Sequence, residues 1–165
     1  MGLAVALLTI SDTRTLAEDA SGDQLQISLE ASGHRLHERT ICRDDRYRIR
    51  AELSRWIADP AVDVVITSGG TGLTGRDGSP EAVSPLLDKT IEGFGELFRM
   101  LSFEHIGTSS LQSRCLAGVA NGTFVFVLPG SLDAVTTAWE RLIHAQLDVE
   151  TRPCNLAQLR SRLKE

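Results

Sequence analysis

The stretch Ser68-Gly69-Gly70-Thr71-Gly72-Leu73-Thr74-Gly75-Arg76-Asp77-Gly78-Ser79-Pro80-Glu81 constrains the chain more than any other. An apolar run, Val62 to Thr67, leads into it, and Ser79-Pro80-Glu81 reads as a helix start with Ser79 as N-cap and Pro80 at the first helical position. Glycines let backbone N–H groups approach an anion closely and adopt positive φ where a turn needs it. The helix beyond adds partial positive charge at its N-terminus. The stretch therefore reads as a phosphate or carboxylate cradle at the end of a buried strand. Gly70-x-Gly72-x-x-Gly75 also spells the dinucleotide pattern, but the helix signal comes at Pro80 instead of inside the glycines, so a nicotinamide-dependent oxidoreductase is a poor fit. The near match to a P-loop puts Arg76 at the lysine position and Asp77 at the Ser/Thr position. A carboxylate there repels phosphates unless a divalent cation intervenes, so Asp77 reads as a metal-holding residue; a solvent-facing Asp that caps the loop locally is the alternative.

The rest of the chain alternates strand and helix signals. Leu3 to Ile10 is continuously apolar, as in a strand buried on both faces. Ser21-Gly22-Asp23-Gln24 resembles a capping box with Ser21 at N-cap, and Gly33 stops the helix it opens. His34 to Ile41 alternates weakly, as in a strand near a sheet edge, and Tyr47 to Ala58 carries Ile49, Leu53, Trp56 and Ile57 at helical spacing. Glu92-Gly93-Phe94-Gly95 breaks the pattern before a helix presenting Phe94, Leu97, Phe98 and Leu101, and Ser109 to Cys115 is a polar turn or short helix. Ala120-Asn121-Gly122 signals a turn before the strand Thr123 to Leu128, after which Pro129-Gly130-Ser131 caps a further helix. This order predicts one α/β domain, residues 1–165, with three α/β/α layers around a mostly parallel sheet. Ligands of such sheets bind outside the carboxyl ends of the strands. There Ser11–Arg14, Ser68–Glu81 and Pro129–Ser131 can converge, and Asp44 can join them.

Composition narrows the chemistry. A net charge of −5 argues against nucleic acid as the main partner, so an anionic ligand needs local positive potential. Leu3 to Ile10 is too short to span a membrane and lacks the flanks of a signal peptide. Cys42, Cys115 and Cys154, odd in number and far apart in sequence, suggest reduced thiols in the cytoplasm. No nucleophile elbow is present, and His34, His37, His105 and His144 read as surface or half-buried residues. What remains is phosphoryl or nucleotidyl transfer by positioning, which needs a metal and charge neutralisation and little covalent help. Asp44 and Asp77 could hold Mg²⁺ against bridging phosphates, with a solvated pair flanked by Arg43 and Arg46 the alternative for Asp44-Asp45. Arg76 and Arg114 are candidate phosphate forks or plain surface arginines, and Ser11, Asp12, Ser21 and Ser131 are equally explained as turn and cap residues.

Ser11-Asp12, Gly69-Gly70-Thr71-Gly72, Arg76-Asp77, Ser79-Pro80-Glu81-Ala82, Ser113-Arg114 and Pro129-Gly130 together resemble the MoaB/MogA family of molybdenum cofactor biosynthesis proteins. Gly93 to Glu104 and Thr151-Arg152-Pro153-Cys154-Asn155 resemble its bacterial MoaB branch. The resemblance implies a molybdopterin-binding fold and Mg²⁺-dependent transfer of AMP from ATP to molybdopterin, with pyrophosphate released. Asp77 stands at the signature aspartate and Asp44 at a second functional acid, with Arg43 in place of the family's proline and Gly78 in place of a frequent β-branched residue. Substrate contacts are implied along the motifs, from Ser11 and Asp12 through Ser68 to Gly72, Arg76, Ser79 to Glu81, Ser113, Arg114 and Pro129 to Ser131. A separate molybdate-insertion partner and a homotrimer or paired trimer, with Phe94–Phe103 as an interface segment, are implied too. A non-catalytic molybdopterin-binding or scaffolding paralogue is the second reading.

Overall fold

The computed structural model describes residues 2–164; Met1 and Glu165, the ends of the expected domain, lie outside them. Six strands form one sheet in the order β2-β1-β3-β6-β5-β4: β1 Ala4–Ile10, β2 Arg35–Cys42, β3 Val64–Ser68, β4 Lys89–Thr90, β5 Leu116–Ala120 and β6 Thr123–Leu128. Pairings β1–β2, β1–β3 and β3–β6 are parallel, as expected, whereas β5 runs antiparallel to both β6 and β4. The sheet is therefore mixed, parallel on one side and antiparallel on the other.

Strand alternation divides the core into two layers. Val5 and Leu7 of β1, Val64 and Ile66 of β3 and Phe124 and Phe126 of β6 pack on one face. They meet Leu25 and Leu29 of α1 (Ala20–Ala31), Phe94 and Phe98 of α4 (Glu92–Ile106) and Val135 and Ala138 of α5 (Leu132–Ala138). Ala6, Leu8, Val65 and Val127 point the other way, onto Ile49, Leu53 and Trp56 of α2 (Arg46–Ala58) and Ala82 and Val83 of α3 (Ser79–Val83). Because both faces are covered, β1 is buried along its whole length, which is why it reads as an unbroken apolar run. The β1–α1–β2 crossover lies on one face and β2–α2–β3 on the other. Strand order thus reverses between β1 and β3, the place where such sheets open a ligand crevice.

Several local expectations are corrected. Asp19, not Ser21, caps α1: its buried carboxylate accepts Gly22 N–H, the Thr9 hydroxyl and the Arg39 guanidinium, partners a serine could not serve together. Ser21 lies within α1 and donates to Gly130 O. Ser79 does not cap α3; Gly78 holds that position, and the Ser79 hydroxyl is spent on Gly69 O. α4 runs through Gly93 and Gly95 without a break, because Phe94, Phe98 and Leu101 bury one face, while Leu97 is exposed. Ser109–Cys115 resolves into the end of a 3₁₀ segment, Gly107–Gln112, followed by extended chain. β4 and β5 were not expected. β5, Leu-Ala-Gly-Val-Ala, has little strand character of its own and is recruited by the Asn121-Gly122 turn, both residues at positive φ.

The two glycines of α4 make opposite predictions. A Cβ on Gly93 meets nothing within 4 Å, whereas one on Gly95 meets the Arg99 guanidinium at 2.8 Å and Cys115 O at 3.0 Å. Denaturant titration is expected to show Gly93→Ala more stable by about 0.4–1 kcal/mol, and Gly95→Ala less stable than wild type.

Candidate active site

β1, β2, β3 and β6 all end on one side of the sheet, and the loops that follow them meet there. Gly69 leaves β3 at φ +102°, its N–H donating to Leu128 O on β6. A Cβ on Gly69 would lie 2.2 Å from Ile10 O on β1, so only glycine allows the three strand ends to close up. Gly70, also at positive φ, has the Ser79 hydroxyl and the Asp44 carboxylate where a side chain would be, so Asp44 lies directly against the glycine backbone.

Asp12, Asp44 and Asp77 are linked through the loops. Asp44 accepts Gly78 N–H at 3.2 Å, and Asp12 accepts Asp44 N–H at 3.2 Å. Arg76 forks onto Asp12 with Nε at 2.9 Å and Nη2 at 2.7 Å. Asp77 accepts the Thr74 hydroxyl at 2.6 Å and Thr74 N–H at 2.9 Å. The acids differ in character. The Thr74 hydroxyl foremost, then backbone N–H groups and Arg114, hold Asp77 below the usual carboxylate range. Burial pushes Asp44 up, and the charges of Asp77 and Asp12 add to the effect against the Gly78 N–H and Arg76. A carboxylate kept among like charges is the kind of group a divalent cation relieves. Among the described residues no group of three or more His, Cys, Asp or Glu side chains could hold a metal. Two carboxylates suit an ion such as Mg²⁺, which completes its shell with water and substrate phosphates.

The remaining expected residues divide by position. Thr71, Gly72, Ser113, Pro129 and Ser131 line a cavity of about 560 Å³ beside the loop, a size that takes an organic ligand. Ser131 also caps α5 through Ala134 N–H, as expected. Ser68 and Pro80 are buried in the loop's base. Ser11 turns its hydroxyl onto Thr13 and Arg14 N–H, and Gly130 O accepts from Arg14 and Ser21. Arg114 faces the loop: Nε and Nη2 donate to Gly72 O, Nη2 also to Asp77 O, and Nη1 pairs with Glu81. With Arg50, which donates to Ala82 O and Glu81 O, it clamps both ends of the segment carrying Asp77.

Sequence reasoning missed the far wall of the cavity, Phe98, Ser102, His105 and Ile106 of α4 with Gln112 and Asp133, Thr136 and Thr137 beyond. These residues belong to no local motif; only packing of α4 against α5 brings them opposite Thr71. Arg50 was missed too: its partners Glu81 O and Ala82 O are 31 and 32 residues away in sequence, so no local signal marks it.

Asp44→Asn keeps an acceptor for Gly78 N–H and removes one of the clustered negative charges. Because burial raises the pKa in the folded protein, the unfolded chain loses that proton first as pH rises, so ionised Asp44 costs stability above its folded pKa. Asp44→Asn is expected to melt higher than wild type at pH 7, with the gain shrinking as pH falls toward the ordinary value of 3.8; melting curves across that range test this.

Residues 6–149 match the family described as "Probable molybdopterin binding domain". Molybdenum cofactor biosynthesis protein B of Escherichia coli K12 is 54% identical over 151 residues, which cover 92% of this chain and 89% of that one. A crystal structure of molybdenum cofactor biosynthesis protein B is similar at a TM-score of 0.87 and 44% identity, over 89% of this chain and 92% of the other. The tungsten cofactor synthesizing protein MoaB of Pyrococcus furiosus follows at 0.77 and 35%, over 86% and 90%.

Proposed function

Since the chain belongs to the molybdopterin-binding family of molybdenum cofactor biosynthesis proteins, we propose that it transfers AMP from ATP to molybdopterin. The observation that carries this reading is the contact of the Asp44 carboxylate with Gly70 and Gly78 in a loop that also holds Asp77, beside a cavity of about 560 Å³. The cavity suits a pterin: Phe98, Ile106 and Pro129 offer apolar surface, and hydroxyls and amides offer hydrogen bonds. A terminal phosphate of the pterin is already ionised and needs no general base. Its oxygen forms a bond to the α-phosphorus of ATP as the bond to the β-phosphate oxygen breaks, and pyrophosphate leaves. Asp44 and Asp77 would hold Mg²⁺, which neutralises phosphate charge. The glycine N–H groups offer fixed donors to the oxygens on which charge develops.

Purified protein with molybdopterin, ATP and Mg²⁺ is expected to release pyrophosphate, and Asp77→Asn to slow this by about 100-fold or more while keeping its fold. Tight pterin binding without ATP consumption would point to the scaffolding reading. Adenylylated pterin is activated for exchange, so a molybdate-inserting activity is the consumer this reading calls for. The cytoplasm suits three cysteines that are all free. No helix among the described residues is long and apolar enough to cross a membrane.

We also propose a homo-oligomer, a trimer or a pair of trimers. Met100, Phe103 and Ile106 of α4 and Leu111 beyond it are exposed together beside the cavity rim, more apolar surface than one helix usually leaves to water. Phe103→Glu is expected to lower the mass measured by light scattering without unfolding the chain; an unchanged mass would remove this face from the interface.

A further inference from the structure

We propose that the groove between the end of β2 and the first turns of α2 is a second anion site, which takes an inorganic diphosphate or the outer phosphates of a nucleoside triphosphate. The groove, of about 790 Å³, is lined by Arg43, Arg48 and Arg76 and by two acids, Asp45 and Glu52. Both acids are engaged. Asp45 Oδ1 accepts the N–H groups of Tyr47 and Arg48 as the N-cap of α2, and Glu52 pairs with Arg55 at 2.7 Å. Arg76 gives Nε and Nη2 to Asp12, and its Nη1 is not used in that fork. Neither Arg43 nor Arg48 has an ion-pair partner among the described residues. In a chain of net charge −5, three guanidinium groups and two carboxylates line this one concavity, a local excess of positive side chains.

The chemistry of the lining selects the ligand. Guanidinium forks match phosphate oxygens in pairs and bind them more strongly than neutral donors do. The groove has no aromatic side chain on which a base could stack, so it suits a phosphate chain and not a nucleoside. Its position gives it a use. Arg76 belongs to the groove and, through Asp12, to the run of contacts from Asp12 to Asp44 to Gly78. Contacts link the groove and the glycine-loop cavity: Arg76 of the groove reaches Asp12, Asp12 accepts Asp44 N–H, and the Asp44 carboxylate lies against Gly70, next in sequence to Thr71 and Gly72 of the cavity. Its role as the place where the departing diphosphate is held rests on the adenylyl-transfer reading; its affinity for the anion does not.

Calorimetric titration of the full chain with inorganic pyrophosphate, with and without Mg²⁺, tests the site directly. Arg48→Ala is expected to weaken binding about tenfold, and Arg43→Ala with Arg48→Ala further, the loss usual for hydrogen bonds to charged groups. Arg48→Lys, which keeps the charge but not the fork, should fall between, and all variants should melt within a few degrees of wild type because both side chains are exposed. ATP should lose affinity in the same order if the groove holds its outer phosphates, and be unaffected if it holds only the free diphosphate. Wild-type protein that does not bind pyrophosphate, or a double variant that binds it as well as wild type, overturns the proposal. Pyrophosphate binding lost in the double variant of a protein that makes no adenylylated pterin leaves the groove standing and removes the transfer reading. Normal transfer with unchanged pyrophosphate affinity does the reverse.

Discussion

The close approach of three backbones at Gly69 is the constraint on which the site depends. Ile10 O lies where a side chain at 69 would start, Leu128 O takes the Gly69 N–H, and Gly130 packs against the Gly69 Cα at 3.2 Å from where its own Cβ would be. Parallel strands must come together at a common end, yet their loops need room to turn in different directions. A residue without a side chain, in a conformation that L residues rarely adopt, satisfies both demands. From this point the loop runs over Asp44 and returns to Ser79, whose buried hydroxyl ties it back to Gly69 O. Strand packing thus sets the path of the loop, and hydrogen bonds from Gly78 N–H to Asp44 and from Thr74 to Asp77 fix the two acids against it.

The arginines show how the surrounding protein holds this loop. Arg50 spends its donors on Glu81 O and Ala82 O, carbonyls that a short helix such as α3 cannot satisfy by itself, and Arg114 spends its donors on Gly72 O and Asp77 O, before that helix begins. Arg76 pairs with the Asp12 carboxylate across the loop. A guanidinium suits this role because its planar donors reach two acceptors at once. Positive charge is thus placed near the acids without closing salt bridges to Asp44 or Asp77.

How much of this could be read from sequence depended on whether the signal was local. Ser131 as a helix cap, Gly33 as a helix stop and the apolar β1 are set by neighbouring residues, and the structure agrees at each. Asp19 won the cap from Ser21 because Thr9 and Arg39, distant in sequence, reward a carboxylate there. Gly93 and Gly95 looked like a break until tertiary packing of Phe94 and Phe98 outweighed the glycine penalty. β5 escaped notice because its residues acquire strand structure only beside β6. The loop side of the candidate site was legible for the same reason the caps were, whereas the α4 and α5 wall of the cavity exists only through the fold.

Both borders of the sheet carry a further consequence. The outer strand β2 alternates Arg35, His37 and Arg39 with Leu36 and Glu38, and the opposite border, β4, is two residues long and includes a lysine. Charged or very short borders deny another polypeptide a template for main-chain pairing. Fibril-like growth through strand addition is thereby discouraged at each rim.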